Sequence, residues 1–265
     1  MKLEIYQVDA FASEVFRGNP AAVCIHAEWL PDGPMQQIAE ENNLSETAFV
    51  VPAGDKFEIR WFTPLMEVEL CGHATLAAAH VLFKHHGIPG NRIEFVSPLS
   101  GHLAAEREGE ILTLDFPADQ LMEVRLPESL ANAFKAVPLK VFKGKSDYML
   151  LFSSQKAVIE MTPDLALLKD LGSRGVIITA RGEVDDFVSR YFAPGAGIDE
   201  DPVTGSAHTT LTAYWSKELG KDILKARQLS KRGGELWCQM AGDRVRISGR
   251  AITYLKGEIE VRVWD

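Results

Sequence analysis

The sequence predicts an α+β protein of two similar domains, each a strand-rich, barrel-like unit around one long helix. The first ground is that the second half echoes the first at a shift of about 130 residues. A second is that both halves carry the same succession of helix-like and strand-like runs. A third is size and composition: 265 residues, 46% hydrophobic and 25% charged, which is enough chain for ordinary cores without a disulfide or metal staple.

Taken in order, RWFTP at 60–64 faces RYFAP at 190–194, each a short aromatic strand ending at a proline. Before them, GPMQQIAEENNLSETAFVV faces TPDLALLKDLGSRGVIIT. Each opens at a proline, Pro34 or Pro163, and runs through a helix-like stretch into a β-branched strand. After them, CGHATLAAAHVLFKHHG (Cys71 to Gly87) faces TGSAHTTLTAYWSKELG (Thr204 to Gly220). Glycines stand where each helix would start, Gly72 and Gly205, and where each would stop, Gly87 and Gly220, suited to left-handed caps. Further on, GHLAAEREGEILTLDF and GELWCQMAGDRVRISG read as hairpins turning at Gly109 and Gly242. The preserved order makes duplication a better account than chance. The expected domains are 1–117 and 118–255, with PADQLMEVRLPESL as linker and a last strand over 256–265 packing back on the first domain.

A formal net charge of −9 argues against a general nucleic-acid binder. Three cysteines, Cys24, Cys71 and Cys238, form an odd set without CxxC spacing, which favours a reducing compartment. The opening MKLEIYQVDAF has no continuous apolar run, and no stretch reaches the roughly 18 apolar residues of a membrane helix. The expectation is a cytoplasmic protein with no nucleic-acid or membrane partner.

A cleft between two like domains suits a small ligand. Helix starts facing it would offer backbone N–H groups, and side-chain-free Gly72 and Gly205 would let a carboxylate approach closely. The partner expected is thus a small carboxylic acid or amino-acid-like substrate. Glu46, just before the apolar run AFVV, is the candidate acid/base, since partial burial raises a carboxyl pKa towards neutrality. Its alternative is a polar strand cap. The matching stretch SRGVI carries no carboxylate, so one half alone holds a base. His73, after Gly72, is placed to bind substrate or relay a proton, with the helix N-terminus favouring its neutral form, or else to meet solvent. Asp201 occupies the corresponding loop of the second half, and Ser206 is the counterpart of His73. Each can hold substrate or cap a helix.

Cys71 precedes a helix-start glycine, a position that lowers a thiol pKa. Its counterpart is Thr204, so a two-thiol racemase arrangement is absent and a small buried cysteine is the plainer reading. Asp201, Ser206 and His208 contain triad types, but Ser206 and His208 diverge on a helix start. Cys71, His73, His80, His85 and His86 lack recognisable zinc spacing, so no metal is expected. No GxGxxG or Walker A sequence occurs, and no nucleotide cofactor is expected.

The segments VDAFASEVFRGNPAAV, SETAFV, FTPLMEVELCGHATLAAA and EDPVTGSAH together resemble the PhzF-like, phenazine biosynthesis-like family, related to the diaminopimelate epimerase-like superfamily. They lie along both halves, so the resemblance spans nearly the whole chain. It implies an epimerase-like two-domain fold, a site between the halves, a homodimer and a cofactor-independent isomerase. On this resemblance Glu46 takes the acid/base position. His73, Asp201 and Ser206 fall on positions that hold substrate and assist proton movement, and Gly72 and Gly205 on backbone anion-binding positions. The absent second cysteine departs from the related epimerases and counts against stereoinversion. Two other readings stand beside this one: an epimerase in which Cys71 assists, and a non-catalytic binding protein for a small aromatic or amino acid.

Overall fold

Apolar runs, some buried nearly continuously and others on alternate residues, set the strands of the first unit. We describe residues 1–261 of the chain from a computed structural model. β1 (Lys2–Ala10) pairs antiparallel with β2 (Asn19–Ile25). The helix α1 (Asp32–Asn42) ends on Asn43, whose left-handed φ of 48° closes it, and leads into β3 (Glu46–Ala53), parallel to β2. β4 (Lys56–Phe62) is antiparallel to β3, and the two-residue β5 (Glu67–Val68) folds back on it. α2 (Gly72–Lys84) then crosses to β6 (Arg92–Ser97), parallel to β4. β7 (Gly101–Glu108) and β8 (Ile111–Pro117) follow antiparallel, turning at Gly109 with φ 60°.

The second unit repeats this order. After β9 (Met122–Glu123) and α3 (Glu128–Phe134), β10 (Lys140–Lys143) pairs antiparallel with β11 (Asp147–Leu151). Two short helices, α4 (Gln155–Glu160) and α5 (Leu165–Lys169), stand where the first unit has α1. β12 (Gly175–Arg181) is parallel to β11, β13 (Phe187–Ala193) antiparallel to β12, and the short β14 (Ile198–Asp201) folds back on β13. α6 (Gly205–Leu219) crosses to β15 (Ile223–Gln228), parallel to β13. β16 (Gly234–Ala241) pairs antiparallel with β15, and β17 (Arg244–Gly249) follows after Gly242. From β1 to β7 and from β10 to β16 the main pairings therefore run antiparallel, parallel, antiparallel, parallel, antiparallel. A shared crossover topology of this length carries the duplication beyond matching residue types.

By compactness the units are Met1–Asp115 with the chain from Ser248, and Phe116–Ile247. β18 (Ala251–Glu260) pairs along the whole of β1, from Ala10↔Ala251 to Lys2↔Glu260. It starts at 251 rather than 256, and the expected strand residues 262–265 lie outside the described residues. The stretch expected as a linker is tied into the second unit, where the Asp119 carboxylate accepts from the Lys145 N–H and the Thr210 hydroxyl.

Each unit is built on one central helix. α2 reads apolar all round and is buried from His73 to Phe83, as a helix enclosed by sheet must be. Burying each of Leu76, Val81 and Leu82 contributes about 1.5–3 kcal/mol. In the second unit α6 buries Leu211 and Trp215, the indole stacked on Phe187. α6 stops at Gly220 in left-handed conformation, φ 65°. α2 stops at His85 instead, and Gly87 takes its positive φ two residues later, while His86 and Ile88 close the last turn on the Val81 and Leu82 carbonyls. Among the described residues no helix is long and apolar enough to cross a membrane.

The aromatic repeat explains how each helix start is held. Arg60 on β4 makes a two-pronged pair with Glu67 at 2.7 and 2.6 Å and lies over the Phe62 ring. Arg190 on β13 does the same with Glu200 at 2.7 and 3.0 Å and lies over Phe192. Two planar forks, poorly exposed, thus buckle the loops that lead into α2 and α6.

Candidate active site

Strand register assembles the first cluster. β2 and β3 run parallel with Ala21 beside Glu46, so Asn19 at the start of β2 and Glu46 at the start of β3 emerge from the same end of the sheet. α2 begins at Gly72 and brings His73 to both. The Asn19 side-chain nitrogen Nδ2 is 3.2 Å from His73 Nδ1, and His73 Nε2 is 3.2 Å from Glu46 Oε2. Cys71 Sγ lies 3.5 Å from His73 Nδ1. Asn19 is fully buried, His73 is 4% exposed and the Glu46 side chain 13%.

Burial pushes the His73 pKa down to about 3. A carboxylate 3.2 Å away favours imidazolium, but loss of hydration in a fully enclosed site outweighs it, so the ring is neutral at physiological pH. The cause is burial. An amide NH2 can only donate, so Nδ1 is the acceptor and the proton sits on Nε2, towards Glu46. That Nε2 makes no aligned hydrogen bond among the described residues, which leaves a buried polar group ready for a ligand.

The start of α2 has no side-chain cap: Cys71 occupies the cap position without bonding a helix N–H. Thr204 stands likewise before α6, in contrast to Ser154, whose hydroxyl accepts from Ala157 N–H at the start of α4. Uncapped first turns present backbone donors to an anion. Gly72 and Gly205 have no positive φ, so backbone conformation alone does not demand glycine there.

In the second unit the turn from Asp201 to Thr204 is held by Gln228. Its Nε2 donates to the Asp201 carbonyl at 2.7 Å, and its Oε1 accepts from Thr204 N–H at 2.9 Å. The Thr204 hydroxyl donates to the Asp201 carboxylate, which is buried. Asp201 is thus bound into the turn before the helix, with half-buried Ser206 in the first turn of α6. His208 points elsewhere: its Nδ1 lies 2.8 Å from the Thr204 carbonyl and its ring packs by Phe187, so it forms no triad with Ser206.

Asn19 and Gln228 carry these sites and were not singled out in the sequence, where Thr204 stands only as the counterpart of Cys71. Asn19 lies within GNP of the opening motif, while Gln228 is far from any motif and gave no signal. Cys/His spacing also failed to find Glu46 as a neighbour of Cys71 and His73. One ligand atom from each of the three falls within 4.8 Å of the others.

A family model described as phenazine biosynthesis-like protein, PhzC-PhzF, matches residues 8–257. An uncharacterized isomerase of Pseudomonas aeruginosa is 53% identical over 261 residues, covering 98% of this chain and all of that protein. A mouse phenazine biosynthesis-like domain-containing protein is 40% identical over 98% of this chain and 99% of its own length. The crystal structure of a PhzF-family protein from Enterococcus faecalis superposes with a TM-score of 0.95 at 45% identity, covering 98% of this chain and all of that one. A probable proline racemase of Agrobacterium radiobacter, at 13% identity and TM-score 0.65, shares the fold.

Proposed function

The chain belongs to the phenazine biosynthesis-like, PhzC-PhzF family of isomerases and epimerase-like proteins, and from that premise we propose a cofactor-independent proton shift on a small carboxylic acid. Glu46 is the acid/base. It removes a proton from an acidic carbon and returns it elsewhere, while His73 donates from Nε2 to the delocalised anion. The uncapped helix starts at Gly72 and Gly205 bind the carboxylate, with Asp201 and Ser206 holding the rest of the substrate. The observation that carries this reading is a neutral, buried imidazole 3.2 Å from a carboxylate. A cytoplasmic homodimer belongs to the same proposal; three free cysteines fit a reducing compartment, and light scattering tests the assembly.

A second reading gains from Cys71 lying 3.5 Å from His73: an epimerase in which the thiol serves as the other acid/base. Incubation with amino acids and hydroxyanthranilate-like acids in D₂O, read by mass spectrometry, separates the two. Label gained with wild type and lost in Glu46→Gln supports the one-base shift. Equal labelling by both proteins removes Glu46 as base, and label lost on alkylation of Cys71 favours the epimerase. Ligand binding without any label favours a non-catalytic receptor.

A further inference from the structure

The cluster at the start of α2 combines a thiol, an imidazole and a carboxylate, and the proton-shift reading gives the thiol no task. Cys71 and His73 are fixed two residues apart on one rigid helix start, and Glu46 is fixed by the parallel β2–β3 register. One ligand atom of each lies within 4.8 Å of the others, with the Glu46 carboxylate 3.2 Å from the buried His73 Nε2 and the Cys71 sulfur 3.5 Å from Nδ1. Sulfur, nitrogen and oxygen donors in that number match a borderline-soft divalent ion, with the fourth tetrahedral position left to water or ligand.

We propose that Glu46, Cys71 and His73 form a three-ligand site for Zn²⁺, which competes with substrate and reversibly holds the enzyme inactive. Binding releases one proton, from the Cys71 thiol, as the sulfur–zinc bond forms. The imidazole proton moves from Nε2 to Nδ1 as Nε2 takes the ion, and Asn19 turns its amide to accept it through Oδ1. Asn19 then serves as the outer partner that ligating histidines require. Inhibition follows from the proposed role of Glu46, whereas metal binding itself does not depend on turnover.

The geometry also separates this site from other nitrogen donors. His80 and His85 both reach the Thr253 hydroxyl, at 3.0 and 2.8 Å, and would bind an ion through nitrogen alone. Cys24 and Cys238 are fully buried, and among the described residues neither belongs to a group of three potential ligands. A sulfur-to-metal charge-transfer band therefore reports Cys71.

The test titrates Co²⁺, a spectroscopic stand-in for Zn²⁺, into the purified full chain. The expected result is one ion per chain with a thiolate-to-cobalt band, displaced by Zn²⁺ and absent from Cys71→Ser. In parallel, Zn²⁺ slows alkylation of Cys71 in the wild-type protein about ten-fold or more, read by peptide mapping without any variant. Wild type lacking the thiolate band, a band that persists in Cys71→Ser, or Cys71 alkylation at an unchanged rate overturns the site. A bound ion that leaves deuterium exchange intact keeps the site and overturns its competition with substrate. An enzyme that binds Zn²⁺ yet labels no metabolite without it leaves the metal site standing and removes the isomerase reading.

Discussion

Asn19→Ala is the change that most directly tests how the imidazole is set. In the wild type, Asn19 Nδ2 donates to His73 Nδ1 at 3.2 Å with both residues buried. This fixes the proton on Nε2, where it faces Glu46 at 3.2 Å. Removing a partner from a buried polar group costs about 1–3 kcal/mol. If that energy holds the reactive tautomer, its loss lowers kcat by about 10- to 100-fold, since each 1.36 kcal/mol is a factor of ten. KM changes little, because the helix-start donors are untouched. Asn19→Asp goes further in a distinguishable way. A carboxylate beside Nδ1 accepts its proton and stabilises imidazolium, so the His73 pKa rises from about 3 and a new acid-side limb enters the pH–rate profile.

Two readouts check this. Deuterium exchange from D₂O gives kcat and KM for each variant, and imidazole ¹⁵N shifts report which ring nitrogen carries the proton. A folded Asn19→Ala protein with wild-type kcat refutes the positioning role, as does a wild-type ring protonated on Nδ1. A merely structural asparagine would lower the denaturation midpoint while leaving the pH–rate profile unmoved.

His208 gives an acid-stability prediction: burial holds it at about 4 in the fold against 6.5 when free, so the unfolded chain takes up the proton first. Its contribution is intact above about pH 6.5 and lost as pH falls through about 4, about 3 kcal/mol in all; urea midpoints should therefore drop across that window and drop less in His208→Gln, and equal slopes would contradict the assignment. Gly175→Ala should destabilise the second unit, because an added Cβ would run into the Tyr191 hydroxyl and lie 2.9 Å from the Phe192 carbonyl. A loss of about 1–3 kcal/mol is expected, the cost of overpacking a core, and a midpoint unchanged from wild type would show that Tyr191 moves aside freely.

The repeat was legible because glycine, proline and aromatic positions survive where side-chain identity has drifted. RWFTP and RYFAP mark β4 and β13, and the paired helix starts mark α2 and α6. What those motifs do together was less legible. Arg60 and Arg190 open those two motifs, and each reaches a glutamate 7 or 10 residues on, a pairing visible only once β5 and β14 fold back. Asn19 and Gln228 escaped for the same reason: each acts through a partner brought near by strand order, 54 and 27 residues away in sequence. The cluster of Cys71 with Glu46 depends on the parallel β2–β3 register, which no local spacing encodes.

Register also supplies a physical reason why only one half carries a carboxylate at this position. Thr47 pairs with Phe62 on β4 and Val176 with Phe192 on β13, so the position equivalent to Glu46 is Gly175. In the first unit that position lies across β2 from Ala21, and the glutamate side chain reaches His73. In the second it lies across β11 from Asp147, a buried carboxylate that accepts from the Tyr191 hydroxyl at 3.0 Å and pairs with Arg174. The Tyr191 hydroxyl stands where a Gly175 side chain would begin. Burial, followed by the neighbouring Asp147 charge, holds the phenol above its ordinary pKa, so it stays neutral and serves as a donor to Asp147. Restoring a glutamate at 175 alone would drive it into that hydroxyl and the Phe192 carbonyl. A second carboxylate would require replacing Tyr191 as well, which would strip a donor from buried Asp147 and weaken its pair with Arg174. The loss of symmetry is thus fixed by several mutually dependent residues, and a single substitution does not reverse it.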